Sequence, residues 1–400
     1  MLSPIGVGRD NYWEALALGK AEFGPITLFD TSSFATHIGG EIRDFDPEPF
    51  LGKKGLRDLD RSTKLVCSAA SLAIRDAHLE ITDENSSSTG VSIGTTFGSL
   101  HSIFQFDRQG LIEGPRYVNP SHFPNTVINS PASRVSIRFK IKGFNTTIST
   151  GFCSGLDAVS YAVDFIKLKR ADVVLAGGVE ELCEETFLGF YKLGYLSGTN
   201  GSDLICCPFD ARRNGIILSE GSAILIIEDS EHALGRGAEI RAVVKGYANA
   251  FDGESRNDFS HDGEGLKKAV TLALGDASLS PDEIDCVSAC ANSTEGLDRF
   301  ETGVIKEVFG ERAATLPITA IKSMIGESFS ASGALSLAAA VGMLTRGFIP
   351  PTKNYEEKDP ACDLDYVPRN AREKNVNNVL ILSSDPYGSN TAMVVGKYER

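Results

Sequence analysis

Apolar residues along this chain alternate between two spacings, and this alternation is the feature that most constrains the fold. Short runs rich in β-branched residues predict strands at Gly90–Thr96, Asp172–Ala176, Ala223–Glu228 and Val379–Ser384. Longer segments, in which apolar residues recur every three or four positions, predict helices at Ser62–Leu79, Ser154–Lys169, Glu264–Ala273 and Ala334–Thr345. Strands that alternate with helices indicate an α/β fold.

The 400 residues are enough for two packed α/β units. A boundary is predicted near Asp229–Gly235, where a strand gives way to a connector that leads into the next strand. We therefore expect an N-terminal half at 1–231 and a C-terminal half at 232–400, each of ordinary domain size.

Composition excludes several classes of function. The formal net charge of −14 argues against nucleic acid as a partner, because phosphate binding needs clustered Lys and Arg. The eight cysteines form no CxxC pair, so neither a metal site nor a disulfide framework is expected. No GxGxxG or Walker loop predicts a nucleotide cofactor. With neither a signal peptide nor a long apolar run, we expect a cytoplasmic protein without a membrane span.

One predicted helix begins directly after Gly151–Ser154, and its apolar face is formed by Leu156, Val159, Ala162, Val163 and Ile166. A thiol at this start would lie beside the partial positive charge of the helix end, which stabilises a thiolate. Alternatively, Ser154 simply caps the helix, and the residues alone favour this interpretation.

Six segments resemble those of one enzyme family in the same order along essentially the whole chain. They are VSIGTTFGSL, GPRYVNPSHFPNTVINSPASRVSIRFKIKGFNTTIST, DVVLAGGVEE, CCPFDARRNGIILSEGSAILIIED, AIKSMIGES and YGSNTAMVV. On these segments the chain resembles the β-ketoacyl-acyl carrier protein synthases of the ketosynthase II-like, thiolase-fold branch.

The resemblance implies a fold and a reaction. The fold is a duplicated thiolase-like α/β architecture, a five-layer αβαβα sandwich that usually dimerises. In active members a cysteine at a helix N-terminus takes the acyl chain as a thioester, two histidines assist decarboxylation of malonyl-carrier protein, and a lysine supports them. The implied substrate arm is the acyl-phosphopantetheine of an acyl carrier protein, with no other cofactor.

The nucleophile of that family is not found at its position in this chain. Its motif Thr-Ala-Cys-Thr-Ser-Gly aligns so that Phe152 stands where the cysteine belongs, and phenylalanine cannot be acylated. Cys153 lies one residue later, which on a helix turns it by about 100°. Phe152 is interpreted either as a plug at the mouth of the acyl tunnel or as a plain core aromatic.

Both family histidines are replaced as well. Cys290 stands at the first position and Glu327 at the second, and residues 262–400 contain no histidine. Lys322 matches the family lysine, and two further acidic positions are retained as Asp298 and Glu301. Glu327 is expected to pair with Lys322, or less simply to act as an acid in other chemistry. Cys286 and Cys290 are expected to be small core residues.

Loss of the nucleophile is typical of one subgroup, the chain-length factors that pair with an active ketosynthase. Those subunits commonly carry glutamine at the position of Phe152, so this chain departs from their pattern. It also lacks the first strand that normally precedes the equivalent of Met1–Pro4, and we expect a start site assigned too late.

Three functions follow in order of preference. The first is a non-condensing, chain-length-factor-like subunit of fatty acid or polyketide (including polyene) synthesis that forms a heterodimer with an active ketosynthase. The second is a condensing enzyme or another acyltransferase that uses Cys153. The third is a homodimer that binds acyl carrier protein without catalysis.

Overall fold

Two β-sheets organise this protein. The computed structural model describes residues 1–199, 201–253 and 263–399. Its strands are β1 (Leu2–Ser3), β2 (Gly6–Val7), β3 (Gly24–Pro25), β4 (Ile38–Gly39), β5 (Thr89–Gly94), β6 (Asn145–Ile148), β7 (Val173–Glu180), β8 (Gly221–Glu228), β9 (Val243–Phe251), β10 (Cys286–Ser288), β11 (Ile318–Thr319), β12 (Phe348–Ile349), β13 (Arg372–Glu373), β14 (Asn378–Ser384) and β15 (Ser389–Gly396). Its helices are α1 (Arg9–Ala17), α2 (Glu48–Leu51), α3 (Arg61–Asp76), α4 (Leu100–Ile112), α5 (Ser130–Phe139), α6 (Ser154–Lys167), α7 (Glu184–Lys192), α8 (Ser230–Gly235), α9 (Glu264–Asp276), α10 (Glu295–Phe309), α11 (Lys322–Ile325) and α12 (Ser330–Arg346).

The α/β prediction is confirmed, since each predicted strand and helix overlaps an observed element of the same type. The largest differences are at element ends. β7 continues to Glu180, beyond the predicted end at Ala176, because it pairs with β8 along its whole length. α12 begins at Ser330 rather than Ala334, since a run of buried small residues extends its first turn.

The two sheets repeat one topology, as expected for a duplicated fold. The first has the order β2-β1-β8-β7-β5-β6 and the second the order β11-β10-β14-β15-β9. In the first, β6, β5 and β7 are parallel, while β8 and β1 each run antiparallel to the preceding neighbour. In the second, β11, β10 and β14 are parallel, and β15 and β9 follow in the same antiparallel manner. α8 lies at the predicted division between residues 231 and 232.

Helices above, between and below the sheets complete the five layers of a thiolase-like sandwich. α3 and α5 pack on the outer face of the first sheet, and α9 packs on the outer face of the second with α10 beside it. α6 and α12 lie between the sheets and contact both of them. One buried apolar cluster runs through this central layer, including Leu156, Val174, Leu335 and Ile381.

The central layer is packed so closely that backbones touch. A Cβ on Gly155 of α6 would lie 2.0 Å from the carbonyl oxygen of Ser330, and one on Gly178 of β7 would lie 2.4 Å from the same oxygen. Glycine is therefore required at both positions because any side chain would separate α6 and β7 from α12.

β8 pairs with the long strand β7 on one side and with the short strand β1 on the other. β1 has two residues, and its register with β8 is the single pair Leu2 and Ser222. Beyond Ser222, no other described strand pairs with that side of β8.

Within the described ranges, no helix is both long and apolar enough to cross a bilayer.

Replacing Gly155 with alanine should destabilise the protein by about 3 kcal/mol, because the new methyl group overlaps the Ser330 carbonyl. Gly189→Ala is the matched control, since a Cβ there meets nothing within 4 Å in a helix. We expect that control to be neutral or up to about 1 kcal/mol more stable. Urea unfolding measures both changes, and equal midpoints for the two variants would contradict the close approach of the helices.

Candidate functional site

The positions expected to carry catalysis meet at the N-terminal end of α6. Phe152 lies in the 3₁₀ turn Gly151–Cys153 that leads into this helix. Cys290 follows β10, Glu327 lies between α11 and α12, and all three side chains are buried. The ring of Phe152 lies 4.8 Å from that of Phe329, whose amide donates to Glu327 Oε1 at 2.9 Å. Residues from both halves of the chain therefore form one site.

Phe152 belongs to a cluster of four phenylalanines, Phe97, Phe152, Phe190 and Phe329, which we call the aromatic cluster. Phe329 lies at its centre, stacked on Phe190 with ring centroids 4.9 Å apart and edge-on to Phe97 at 5.3 Å. The backbone of Phe329 has a φ of +47°. The rings pack together beside the turn that begins α6, the position at which the sequence resemblance places the nucleophile.

Cys153 is enclosed by the backbone of β14 and β15. Its Sγ lies 3.4 Å from the carbonyl oxygens of both Ser383 and Ser389, and the side chain is fully buried. Burial, followed by the charge of Asp157, raises the pKa of this thiol well above its ordinary value. The lowering expected from the helix end is therefore wrong, because loss of hydration outweighs the helix dipole.

Ser154 does not cap α6 in the predicted way. Its hydroxyl accepts the Thr150 N–H at 2.9 Å and donates to the Gly151 carbonyl at 2.5 Å. It therefore holds the turn that precedes the helix, rather than an amide inside the helix.

Lys322, Glu327 and Cys290 form the polar part of the site. Lys322 Nζ donates to Glu327 Oε2 at 2.7 Å and to Cys290 Sγ at 3.3 Å. Asn292 Nδ2 also donates to Glu327 Oε2, at 2.9 Å. Burial raises the pKa of Cys290 to about 11, so the thiol is neutral at pH 7 and the carboxylate is the counter-charge of the lysine. The predicted buried ion pair is confirmed.

The two retained acids hold the chain that follows β10. Glu301 accepts the amides of Cys290 and Ala291 at 2.6 and 2.9 Å, while Asp298 accepts those of Asn292 and Phe209. Burial raises the pKa of Glu301 to about 7 and that of Asp298 to about 6. These carboxylates fix the backbone of the site and leave no free oxygen for a reacting group.

Two acidic residues of this region were missed in the sequence. Glu180 accepts the amides of Thr96 and Phe97 and the hydroxyl of Ser330, which ties β7 to the aromatic cluster and to α12. Asp385 accepts the amides of Phe152 and Tyr387. A carboxylate in a buried strand was a usable signal for Glu180, whereas Asp385 lies in an SSDPYG stretch that suggests only a turn.

A cavity of about 390 Å³ lies elsewhere in the N-terminal half, beside Asp60, His101 and Glu181. None of Phe152, Cys290, Lys322 or Glu327 lines it. The catalytic positions of the family are therefore separate from this cavity.

Comparison with known proteins gives the same family that the sequence motifs resemble. Residues 1–233 match the model of the β-ketoacyl synthase N-terminal domain, and residues 241–356 match that of the C-terminal domain. The chain belongs to the β-ketoacyl synthase family. It is 34% identical over 399 residues to the 3-oxoacyl-[acyl-carrier-protein] synthase 2 of Coxiella burnetii, covering 99% of this chain and 96% of the relative.

Two solved structures extend the comparison from fatty acid to polyketide synthases. The ishigamide ketosynthase/chain length factor matches with a TM-score of 0.93 and 32% identity, covering 100% of this chain and 97% of that one. A type II polyketide acyl-carrier protein in complex with its ketosynthase, bound to the hexaketide, matches at 0.90 and 29%, covering 99% and 97%. This β-ketoacyl synthase homologue thus has the fold of the ketosynthases in both comparisons.

The raised pKa values at the site predict how stability changes with pH. Asp298 and Glu301 hold protons in the folded state up to about pH 6 and 7, whereas their ordinary pKa values are 3.8 and 4.5. The folded state therefore binds more protons between these limits, and its stability falls as pH rises through this window. Each group contributes a slope of up to about 1.4 kcal/mol per pH unit.

Thermal unfolding between pH 5 and 8 measures this effect, and we expect the melting temperature to fall as pH rises. Glu301→Gln removes one titrating group, so its melting temperature should change less with pH than that of the parent. A parallel pH dependence in both proteins would contradict the raised pKa of Glu301.

Proposed function

We propose that this protein is a non-condensing subunit, of the chain-length-factor type, that pairs with an active ketosynthase in fatty acid or polyketide synthesis. The observation that carries the proposal is the replacement of the nucleophile by Phe152, whose ring is packed within the aromatic cluster. Condensation needs a side chain that can form a thioester, and Phe152 has none.

The remaining catalytic positions support the same conclusion. A neutral Cys290 and a Glu327 bound to Lys322 stand in place of the two histidines. A carboxylate at this point opposes the negative charge that develops when a thioester carbonyl is attacked or a carboxyl group is lost. The chain therefore keeps the ketosynthase scaffold while its own centre is unsuited to the reaction.

An exposed apolar surface supports a paired state. It extends over α4 and the segment that follows, and we call it the α4 surface: Phe104, Leu111, Ile112, Tyr117 and Phe123. Leu111 is 86% exposed and Tyr117 70%. The surface adjoins α5, which packs on β6, and β6 is an edge strand of the first sheet. Large apolar residues beside an open sheet edge are typical of a protein interface.

The proposed occupant of the α4 surface is an active ketosynthase of the same fold. The similar ishigamide structure is named as a ketosynthase/chain length factor, which favours such a pair over a second copy of this chain. In the pair, the aromatic cluster limits the space for the growing acyl chain, which arrives on the phosphopantetheine arm of an acyl carrier protein. The active partner supplies the nucleophile and most of the basic surface that an acidic carrier protein requires, because this chain carries a net charge of −14.

Co-expression with the intact ketosynthase encoded nearest to it tests the proposal. We expect the two chains to co-purify and the length of the products to change when this subunit is omitted. Leu111→Asp should weaken the association at least tenfold because it places a charge in the α4 surface, whereas Leu234→Asp, on exposed α8, should not. Unchanged products and no co-purification would overturn the proposal, and a homodimer that binds carrier protein alone would favour the third function.

The alternative enzyme that uses Cys153 makes a different prediction about thiol reactivity. All eight cysteines are buried, and burial raises the pKa of Cys153. The native protein should therefore expose no rapidly reacting thiol to a disulfide reagent at pH 8, and all eight should react after denaturation. Leu234→Cys supplies a positive control of one fast thiol on an exposed helix position. Rapid modification or acylation of Cys153 in the native protein would support the alternative, an enzyme that uses this thiol.

A further inference from the structure

Two backbone amides from distant parts of the chain converge on a single carboxylate at the centre of the site. The amide of Phe152 donates to Asp385 Oδ2 at 3.0 Å, and that of Tyr387 donates to Asp385 Oδ1 at 2.7 Å. Asp385 is 3% exposed. Among the described residues, no Lys, Arg or His side chain forms an ion pair with it. The two N–H groups are therefore the main partners of this buried acid.

The surroundings of Asp385 are shaped to receive it. The Phe152 amide lies in the turn before α6, a helix of 14 residues, so the partial positive charge of the helix end adds to the two hydrogen bonds. Gly151 has a φ of +65°, and a Cβ there would lie 2.1 Å from Asp385 Oδ2. Any residue with a side chain at position 151 would thus displace the carboxylate.

Acyl-transfer enzymes stabilise the oxyanion of the reaction with backbone amides of this kind, often beside a helix N-terminus. One of these amides belongs to Phe152 itself, the residue at the nucleophile position. Asp385 follows Ser384, whose amide donates to Cys290 Sγ at 3.3 Å, so the acid lies in the chain that also lines the position of the first histidine. Each of the two amides donates to a different oxygen of Asp385, so the carboxylate occupies both N–H groups.

We propose that Asp385 is an internal anion that occupies the oxyanion-binding amides of Phe152 and Tyr387 and so blocks acylation of the centre independently of the lost nucleophile. This inference goes beyond the proposed function, because it concerns the isolated chain and needs no partner. It identifies a second barrier: a thiol introduced at position 152 reacts more slowly while the carboxylate is in place.

The chemistry of the test reaction is a simple acyl transfer. In a Phe152→Cys variant, the introduced thiol loses its proton to solvent and the thiolate attacks the carbonyl carbon of an added thioester. A carbon–sulfur bond forms, and the oxyanion requires the two amides. The original carbon–sulfur bond then breaks, and the leaving thiolate takes a proton from water. The Asp385 carboxylate disfavours the first and second of these steps through its charge and its position.

The experiment compares Phe152→Cys with Phe152→Cys/Asp385→Gly, using hexanoyl-N-acetylcysteamine as the acyl donor and intact-protein mass spectrometry as the readout. We expect the double variant to be acylated at least tenfold faster. Phe152→Cys/Asp83→Gly is the matched control, since it removes a carboxylate that is 98% exposed. That control should behave like the single variant.

A second measurement separates blocking from misfolding. Phe152→Cys/Asp385→Asn keeps the shape of the side chain but removes its charge, and serves if the glycine variant does not fold. The pH dependence of iodoacetamide alkylation should then give a lower pKa for the introduced thiol than in Phe152→Cys alone, by at least half a unit. Equal acylation rates and equal thiol pKa values in folded variants with and without Asp385 would overturn the proposal. The assay contains no ketosynthase, so its outcome is independent of co-purification.

Discussion

Backbone contact between α6, β7 and α12 is the constraint on which the rest of this structure depends. Gly155 and Gly178 allow both elements to approach the Ser330 carbonyl more closely than any side chain would permit. This contact sets the spacing of the central layer between the sheets. It also fixes the start of α6 relative to the start of α12, and therefore brings Phe152 and Glu327 into one site from the two halves of the chain.

The charged groups of the site are all paired with other groups of the protein. Lys322 forms an ion pair with Glu327, while Asp298 and Glu301 accept hydrogen bonds from backbone amides. Catalytic acids and bases need a free proton or lone pair directed at a substrate. Here each of these groups already has a partner within the protein.

The sequence predicted the fold well because strand and helix periodicities depend on burial, which follows directly from apolar spacing. It also predicted the Lys322–Glu327 pair, since opposite charges near one site of known family geometry have few other arrangements. It was wrong about the Cys153 thiol because the local signal, a helix end, was weaker than burial by both sheets. Asp385 was missed because its partners are two backbone amides, one of them far away in sequence. The residue types of a sequence do not show where a backbone N–H group points.

The backbone of Phe329 adopts a strained conformation. A φ of +47° is easily adopted by glycine but costs a bulky L-residue roughly 1–3 kcal/mol. The surrounding fold must overcome that strain to keep a phenyl ring at the centre of the aromatic cluster. Phe329 is therefore held in an unfavourable backbone conformation by the packing of its side chain. Glycine at this position would relieve the backbone strain, but it would leave a gap between the rings whose cost is larger than the strain relieved.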